Sequence, residues 1–314
     1  MPADRQPELP QAAAPVASTE MRNERTRDID LVGTLQLLSL LNAEDATVAG
    51  AVAAVLPALA AVVDEAAALV RDGGRVHYFG AGSSGRIGVL DAAEVVPTFG
   101  IPPGVFVAHH AGGDGAVAQA VEGAEDQEGF GAQAAADVTA NDLAVGLSAS
   151  GRTPYVGGAL RAAREAGAVT VLVSSNLAAP LAKLADYCLL TDTGPEAIAG
   201  STRLKAATAQ KMILNSLSTA TMIKLGRTYS NLMVSLAGTN DKLRRRQVLI
   251  LMEASGASEQ ACRSELARCD GDLRTAMVCL LSELDPPAAA NALAAADGSI
   301  RRALAATRGA SAGA

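Results

Sequence analysis

The spacing of apolar residues along the chain changes twice and predicts three regions. From Asp30 the leucines follow a helical spacing, and a second helical run rich in Ala, Val and Leu follows, with Pro57 as its weak point. Between Arg75 and Leu225 short apolar runs alternate with helical patterns, which is typical of an α/β domain with a parallel sheet. After Gly226 the pattern is helical only and predicts a small bundle.

These patterns predict individual elements and domain bounds. The predicted strands are residues 75–79, 105–109, 143–147, 169–173 and 187–190. The first predicted helix of the α/β region follows the first strand and ends at 96, where Pro97 stops it. The other predicted helices cover 111–122, 154–166, 201–225, 245–254, 258–268, 271–284 and 288–305. We therefore expect a tail, arm and helix over 1–52, an α/β domain over 53–227 and a helical domain over 228–314.

Composition changes the picture in two ways. The 314 residues are 49% hydrophobic but only 3% aromatic, with no Trp, so the core is expected to consist of small aliphatic side chains. The 26 basic and 33 acidic residues give a net charge of -7, and the pI is near 5.1. This balance argues against a general nucleic-acid binder and against a protein that binds acidic membranes, since both need a basic face.

The same sequence predicts a cytoplasmic protein. It contains no apolar run of about 18 residues or more, so no transmembrane helix is expected. The first twenty residues are polar and rich in proline, unlike a secretory signal, and residues 1 to about 17 read as a disordered tail. The four cysteines include no CxxC pair, which favours buried thiols over a disulfide framework or a zinc site.

A glycine-rich loop follows the first predicted strand. Gly80-x-Gly82-x-x-Gly85 has the form of a dinucleotide fingerprint. A dinucleotide site also needs a carboxylate at the end of the second strand, and here none appears until Asp114. The loop instead carries two hydroxyl groups, on Ser83 and Ser84, which suit a small anion.

A second hydroxyl-rich loop follows the third predicted strand and contains Ser148, Ser150, Arg152 and Thr153. Hydroxyls and free amides at a helix N-terminus bind small anions well. Two such loops at the carboxyl edge of one sheet predict a site for the phosphate monoester of a small molecule. The alternative is that these Ser and Thr residues are ordinary helix N-caps.

Both loops resemble the sugar isomerase (SIS) domain, which binds phosphosugars. Longer strings resemble the N-acetylmuramic acid 6-phosphate etherase family, and the resemblance begins at Thr19 and covers nearly the whole chain. The matching strings are residues 80–94, 97–100, 122–126, 150–156, 194–196, 200–206, 208–211, 231–234 and 239–243. The resemblance implies a flavodoxin-like, three-layer SIS domain followed by a C-terminal helical segment similar to a ubiquitin-associated (UBA) fold.

The resemblance also implies an activity. Members are carbon–oxygen lyases of the cytoplasm that cleave the D-lactyl ether of N-acetylmuramic acid 6-phosphate in peptidoglycan recycling. They use no metal or redox cofactor and are homodimers. A related branch regulates glucokinase and binds phosphosugars without turnover, so a non-catalytic phosphosugar regulator is the alternative. A sugar-phosphate isomerase is a weaker third option, and Ser148, where many etherases carry alanine, leaves some room for a different substrate.

Ether cleavage by elimination needs a base and an acid, and two carboxylates can supply both. By match to the family's motifs, Glu94 is the expected acid that assists lactate departure and later activates water. Glu125 is the expected base. Glu125 lies in an acidic cluster in which Glu122 is its rival, and a solvated surface is the alternative for each carboxylate.

Geometry raises a question about Glu94. It follows Ser84 by ten residues, so a straight helix separates the two by about 15 Å. Either the helix breaks early, or the site is shared across a dimer, which we favour. Further candidates for the phosphate or the lactate carboxylate are Arg152, Arg203 and Lys205, although surface charge explains the last two as well. The adjacent His109 and His110 face opposite sides of a strand, which makes a shared metal site improbable.

Overall fold

The computed structural model describes residues 17–119, 121–236, 238 and 240–311, so the predicted tail up to about residue 17 lies almost wholly outside them. The strands are β1 Val76–Gly80, β2 Phe106–His110, β3 Leu143–Leu147, β4 Val169–Ser174, β5 Tyr187–Leu190, β6 Thr228–Tyr229 and β7 Leu232–Met233. The helices are α1 Thr34–Asp45, α2 Val48–Ala53, α3 Leu56–Arg71, α4 Gly82–Phe99, α5 Gly115–Ala118, α6 Glu128–Ala134, α7 Pro154–Glu165, α8 Lys205–Lys224, α9 Asp241–Ser255, α10 Glu259–Arg268, α11 Leu273–Ser282, α12 Pro286–Ala295 and α13 Ile300–Ser311.

Strands β1 to β5 form one parallel sheet in the order β2-β1-β3-β4-β5. The register pairs Gly80, the last residue of β1, with His110 on one side and with Leu147 on the other. The carboxyl ends of β2, β1 and β3 therefore lie side by side, with neighbouring strands about 4.8 Å apart. The strand order reverses at β1, and open α/β sheets bind their ligands beside such a reversal.

Different helices cover the two faces of the sheet. Tyr78 and Val145 pack with α3, α4 and α8, whereas Phe79, Ala144 and Leu172 pack with α7 on the opposite face. This division follows from the alternation of side chains along each strand. The predicted parallel sheet flanked by helices is therefore confirmed, as is the helical C-terminal segment.

A separate hydrophobic core holds the C-terminal helices together and extends from Val234 to Leu304. The prediction of one helix over 288–305 is wrong, because Asp297 and Gly298 adopt φ angles of 49° and 76° and separate α12 from α13. The β6–β7 hairpin was not predicted either. The domain bounds at 52 and 227 stay predictions, and Val48 of α2 belongs to the core of the sheet.

Two further predictions around the sheet need correction. Helix α4 continues through Pro97 to Phe99 and ends at Gly100, whose φ is 59°. Pro97 removes one backbone hydrogen bond from the last turn, and the buried side chains of Val95 and Phe99 hold this turn against the core. The predicted helix over 111–122 shrinks to α5, because Gly112 and Gly113 adopt φ angles of 88° and 75° that no helix accommodates.

The start of helix α1 and the residues just before it expose apolar side chains. The side chains of Leu31, Leu35 and Leu38 are 78%, 81% and 56% exposed. Single exposed leucines are ordinary, but Leu35 and Leu38 lie three residues apart on one helix face, with Leu31 just before it, and such a cluster is of the kind that marks an interaction surface. Within the described residues no single helix has the length and apolar character to cross a membrane; Thr34–Ala53 and Leu56–Arg71 meet those criteria only together, across a 63° bend.

Candidate active site

The loop between β1 and α4 is closed by close backbone packing. A Cβ atom on Gly80 would lie 2.7 Å from the Gly85 nitrogen, and one on Gly85 would lie 2.6 Å from the Gly80 oxygen. Both contacts are too short for any side chain, so the two glycines are required for the turn. The turn places Ser83 and Ser84, both half-buried, in the first turn of α4 at the carboxyl edge of the sheet.

The loop between β3 and α7 is held by its own hydroxyl groups and by β4. The Ser148 and Thr153 hydroxyl oxygens are 2.8 Å apart, and the Ser150 oxygen accepts a hydrogen bond of 3.3 Å from the Arg152 amide. Asn176, just beyond β4, donates a 2.8 Å hydrogen bond to the Ser150 carbonyl. The sequence analysis did not single out Asn176, because only the fold brings it beside this loop.

Neither helix that leaves these loops has a side-chain cap. The N-cap residue of α4 is Ala81, and Thr153, the N-cap residue of α7, makes no capping hydrogen bond. Since Gly80 and Leu147 are paired in the sheet, the two helix N-termini start from adjacent strands. The N-cap alternative is therefore not supported for Thr153, and uncapped amides of two helices remain directed at one edge, where an anion is favoured.

A cavity of about 260 Å³ opens beside the first loop, and its lining includes Gly82, Arg86, His110, Glu122 and Glu125. The size suits part of a small ligand. Glu125, the predicted base, and its rival Glu122 thus line one cavity together with the glycine-rich loop. The cavity does not distinguish Glu122 from Glu125 as the base, so the assignment of the base to Glu125 stays a prediction.

Two of the lining residues were given no role from the sequence, although Arg86 lies in a matching string. The Arg86 guanidinium donates hydrogen bonds of 2.7 and 2.9 Å to the carbonyls of Val117 and Ala116. The His110 ring contacts the Gly82 carbonyl, with 3.2 Å between Nε2 and the oxygen. These contacts hold the cavity-lining residues Arg86 and His110 in place. They join residues about 30 positions apart in the chain, so a local sequence motif does not predict them.

The three histidines occupy two sides of the sheet. His109 faces away from the cavity, where its Nε2 lies 2.9 Å from Nδ1 of His77. The predicted opposite orientation of His109 and His110 is therefore confirmed. Burial, and then the neighbouring His109, lower the pKa of His77 to about 4, so this pair is neutral at pH 7.

Glu94 lies apart from the cavity. Helix α4 is unbroken from Gly82 to Phe99, which places Glu94 about 15 Å along the helix from Ser84. Its carboxylate is exposed, and on the same face lie Ala93, also exposed, and Leu90, which is 52% exposed. The early helix break considered from the sequence does not occur, and one chain does not bring Glu94 to the cavity that holds Glu125.

The basic candidates have different surroundings. Arg152 and Arg203 are exposed, whereas Lys205 is 1% exposed and its Nζ lies 2.7 Å from the Glu44 carboxylate. The structure therefore engages the Lys205 ammonium in an internal ion pair. Helix α8 also starts four residues later than predicted, because the Glu196 carboxylate accepts the backbone N–H groups of Lys205 and Ala206.

Glu44 ties the N-terminal arm to this helix. It accepts hydrogen bonds from Arg25 and, at 2.8 Å, from Asn23, in addition to the ion pair with Lys205. The hydrogen bond from Arg25 lowers the pKa of Glu44 to about 2, against the opposing effect of burial and with further help from Lys205. Through Asn23 and Arg25 the N-terminal arm thus joins the buried ion pair between Glu44 and Lys205.

Comparison with known proteins agrees with this fold. Residues 58–164 match the family model of the glucokinase regulatory protein N-terminal SIS domain, and residues 117–220 match the SIS domain model. Among solved structures, a phosphoheptose isomerase from Francisella tularensis superimposes with a TM-score of 0.51 at 20% identity, covering 61% of this chain and all of that one. At this identity the likeness concerns the fold alone.

Curated relatives give a closer match. The chain is 59% identical over 266 residues to an N-acetylmuramic acid 6-phosphate etherase of Thermobifida fusca, covering 85% of this chain and 88% of the relative. It is 47% identical over 288 residues to the protein of that name from Enterobacter sp., covering 91% and 97%. Identity at this level over most of both chains leaves one conclusion: the chain belongs to the N-acetylmuramic acid 6-phosphate etherase family.

Proposed function

We propose that this protein cleaves the D-lactyl ether of N-acetylmuramic acid 6-phosphate, giving N-acetylglucosamine 6-phosphate and D-lactate in the recycling of peptidoglycan sugars. One observation carries the proposal. Two uncapped helix N-termini, at Ala81 and Thr153, start from adjacent strands, and the cavity beside the first of them contains Glu122 and Glu125. The helix N-termini suit the phosphate, and a carboxylate suits proton transfer at the sugar carbons.

The chemistry divides into elimination and hydration. In the open-chain sugar a carboxylate, Glu125 in our assignment, removes the proton from the carbon next to the aldehyde. The bond between the neighbouring carbon and the lactyl oxygen then breaks, and Glu94 protonates the departing lactate. In the second half Glu94 activates a water molecule that adds to the unsaturated aldehyde, and the proton returns from Glu125. Protons and electron pairs balance without an outside reductant or oxidant.

The phosphate holds the substrate through the two loops. Ser83, Ser84, Ser148, Ser150 and Thr153 are the proposed hydroxyl ligands, and the amides of the first turns of α4 and α7 are the proposed N–H donors. The exposed Arg152 and Arg203 are proposed to meet the phosphate or the lactate carboxylate. The internal ion pair with Glu44 argues for a structural role of Lys205 before any binding role.

A D-lactate release assay with the purified chain tests the proposal. We expect saturable lactate release from N-acetylmuramic acid 6-phosphate and little from unphosphorylated N-acetylmuramic acid, because the second substrate cannot use the helix N-termini. Phosphosugar binding without lactate would instead support a non-catalytic regulator. Interconversion of an aldose and a ketose phosphate without ether cleavage would support an isomerase.

We further propose that the protein works as a cytoplasmic homodimer with a shared active site. The exposed leucines at the start of α1 and just before it supply apolar side chains that a second copy can cover. On α4, Leu90 and Ala93 flank Glu94 on one exposed face, which suits contact with a partner that receives the glutamate. In a twofold dimer each site would then combine Glu125 of one chain with Glu94 of the other.

Mixed dimers test the sharing directly. We expect Glu94→Gln and Glu125→Gln dimers each to be nearly inactive, while a heterodimer of the two variants recovers about half of the wild-type activity per dimer. In that heterodimer one site combines both intact glutamates and the other combines both substitutions. The measurement is lactate release by heterodimers purified through two different affinity tags on co-expressed chains.

The control is a doubly tagged wild-type dimer purified in the same way. If the heterodimer is as inactive as its parents, both glutamates act within one chain and the shared site is wrong. Wild-type activity in an enforced monomer would exclude it as well.

A further inference from the structure

Three side chains with metal-binding atoms converge in the C-terminal bundle, far along the chain from the phosphate loops. Glu265 lies on α10, Cys269 follows the end of that helix, and Cys279 lies on α11. One ligand atom from each lies within 4.8 Å of the other two. Cys269 and Cys279 are ten residues apart and form no CxxC pair, which is why the sequence analysis favoured buried thiols over a zinc site.

The distances suit zinc. The two sulfur atoms are 3.9 Å apart, and the Cys269 sulfur is 3.9 Å from Oε1 of Glu265. With Zn–S bonds of about 2.3 Å in tetrahedral geometry, two thiolates lie about 3.8 Å apart, and a thiolate and a carboxylate oxygen lie about 3.5 Å apart. The two distances from the Cys269 sulfur are therefore within a few tenths of an ångström of the zinc geometry, and the third, between Cys279 and Glu265, is at most 4.8 Å and needs to shorten by no more than about 1.3 Å.

The surroundings select the ligand atoms. All three residues are buried, and each exposes less than a tenth of its surface. Arg268 donates a 2.7 Å hydrogen bond to Oε2 of Glu265, which leaves Oε1 facing the thiols. A hydrogen bond to the second oxygen of a ligating carboxylate is the arrangement that orients such ligands in metal sites.

Burial raises the pKa of both cluster thiols, that of Cys279 to about 12 with a further contribution from the neighbouring Cys269. The turn between them contains Asp270 and Gly271, both with positive φ, so small adjustments of the sulfur positions need not disturb either helix.

We propose that Glu265, Cys269 and Cys279 form a binding site for Zn²⁺ that links α10 to α11. Two thiolates and one carboxylate are ligands that zinc accepts, and three protein ligands leave a fourth position for water. The site is separate from the proposed catalytic carboxylates, and its role is to stabilise the bundle. Its occupancy does not depend on the proposed etherase activity.

Cobalt titration of the full-length, reduced, metal-free protein tests the site. We expect one equivalent of Co²⁺ to produce a thiolate-to-cobalt charge-transfer band in the near ultraviolet, and Zn²⁺ to displace it. Cys269→Ser and Cys279→Ser should each abolish the band, and Glu265→Gln should weaken binding at least about tenfold. Cys262→Ser is the matched control, because Cys262 is buried on the same helix and lies outside the cluster.

A second readout guards against variants that fail to fold. Zn²⁺ should raise the Tm of the wild type and of Cys262→Ser but not that of Glu265→Gln at the same zinc concentration. Absence of a charge-transfer band in folded, reduced wild type overturns the proposal. So does an unchanged band in either cluster cysteine variant, or isolation of a Cys269–Cys279 disulfide from a protein that takes up no metal after reduction.

Discussion

Replacing Glu125 with glutamine should lower the kcat for D-lactate release by about 10²–10⁴-fold, the usual contribution of a general base. Glu94→Gln should lower it by a similar factor, because the acid that protonates the departing lactate is lost. The KM should change little in both variants, since the hydroxyls and helix N-termini that are proposed to hold the phosphate remain. Steady-state kinetics on N-acetylmuramic acid 6-phosphate give both parameters.

The acidic cluster provides its own controls. Glu128 pairs with Arg161 on the surface outside the cavity, so Glu128→Gln should keep kcat within about twofold of the wild type. Glu122 lines the cavity together with Glu125 and is the rival base. Glu122→Gln therefore decides the assignment, and we expect a smaller loss than for Glu125→Gln.

Three outcomes would contradict these assignments. A large loss in Glu122→Gln with an active Glu125→Gln enzyme would transfer the base to Glu122. Full activity of Glu94→Gln would remove the proposed acid and, with it, the argument for a shared site. A raised KM with unchanged kcat in either variant would mean that the carboxylate binds substrate and does not transfer a proton.

Glu44→Gln should lower the free energy of unfolding by about 3–5 kcal/mol, the usual cost of breaking a buried ion pair. The substitution leaves the Lys205 ammonium, 1% exposed, without its carboxylate partner. Lys205→Met should cost less, because Arg25 and Asn23 still satisfy Glu44. The double variant should recover part of the loss, since no buried charge then remains unpaired.

The same pair predicts a pH dependence. The pKa of Glu44 falls from an ordinary value of 4.5 to about 2 in the folded chain. Its contribution to stability is therefore complete above about pH 4.5 and is lost as the pH falls toward 2, a total of about 3 kcal/mol. Wild-type stability should decline over this window, and Glu44→Gln should lack this part of the decline.

Urea unfolding followed by circular dichroism, at fixed protein concentration, measures both effects. The exposed pair of Lys224 and Asp64, 2.6 Å apart, is the control, and Asp64→Asn should change stability by less than about 1 kcal/mol. Equal effects of Asp64→Asn and Glu44→Gln would refute the buried network as a source of stability. If Lys205→Met binds phosphosugar more weakly while its free energy of unfolding is unchanged, Lys205 is a substrate-binding residue and not a structural one.

Local pattern was sufficient for much of the fold. Strands β3 and β5 occur where the short apolar runs placed them, β4 is one residue longer at its C-terminal end, and β1 and β2 are each shifted by one residue toward the C-terminus. Burial on both faces makes such strands nearly continuous apolar runs, which a sequence displays directly. The prediction of helix bounds failed where the backbone conformation of single residues ends a helix. Gly112 and Gly113 have positive φ angles, which reduce a helix of twelve predicted residues to α5.

The sequence by itself determined the family, the parallel α/β sheet and the two hydroxyl-rich loops, and it supplied the candidates for acid and base, Glu94 and Glu125. Each of these features follows from short contiguous sequence motifs or from the periodicity of apolar side chains. Only the tertiary structure decided which of these groups meet. It placed Glu125 in the same cavity as Gly82 and kept Glu94 on an unbroken helix away from that cavity. It also paired Lys205 with Glu44 and brought the sulfur of Cys269 to 3.9 Å from that of Cys279. The reason is physical: these contacts depend on strand order and helix rotation, which are set by packing of the whole core and not by neighbours in sequence.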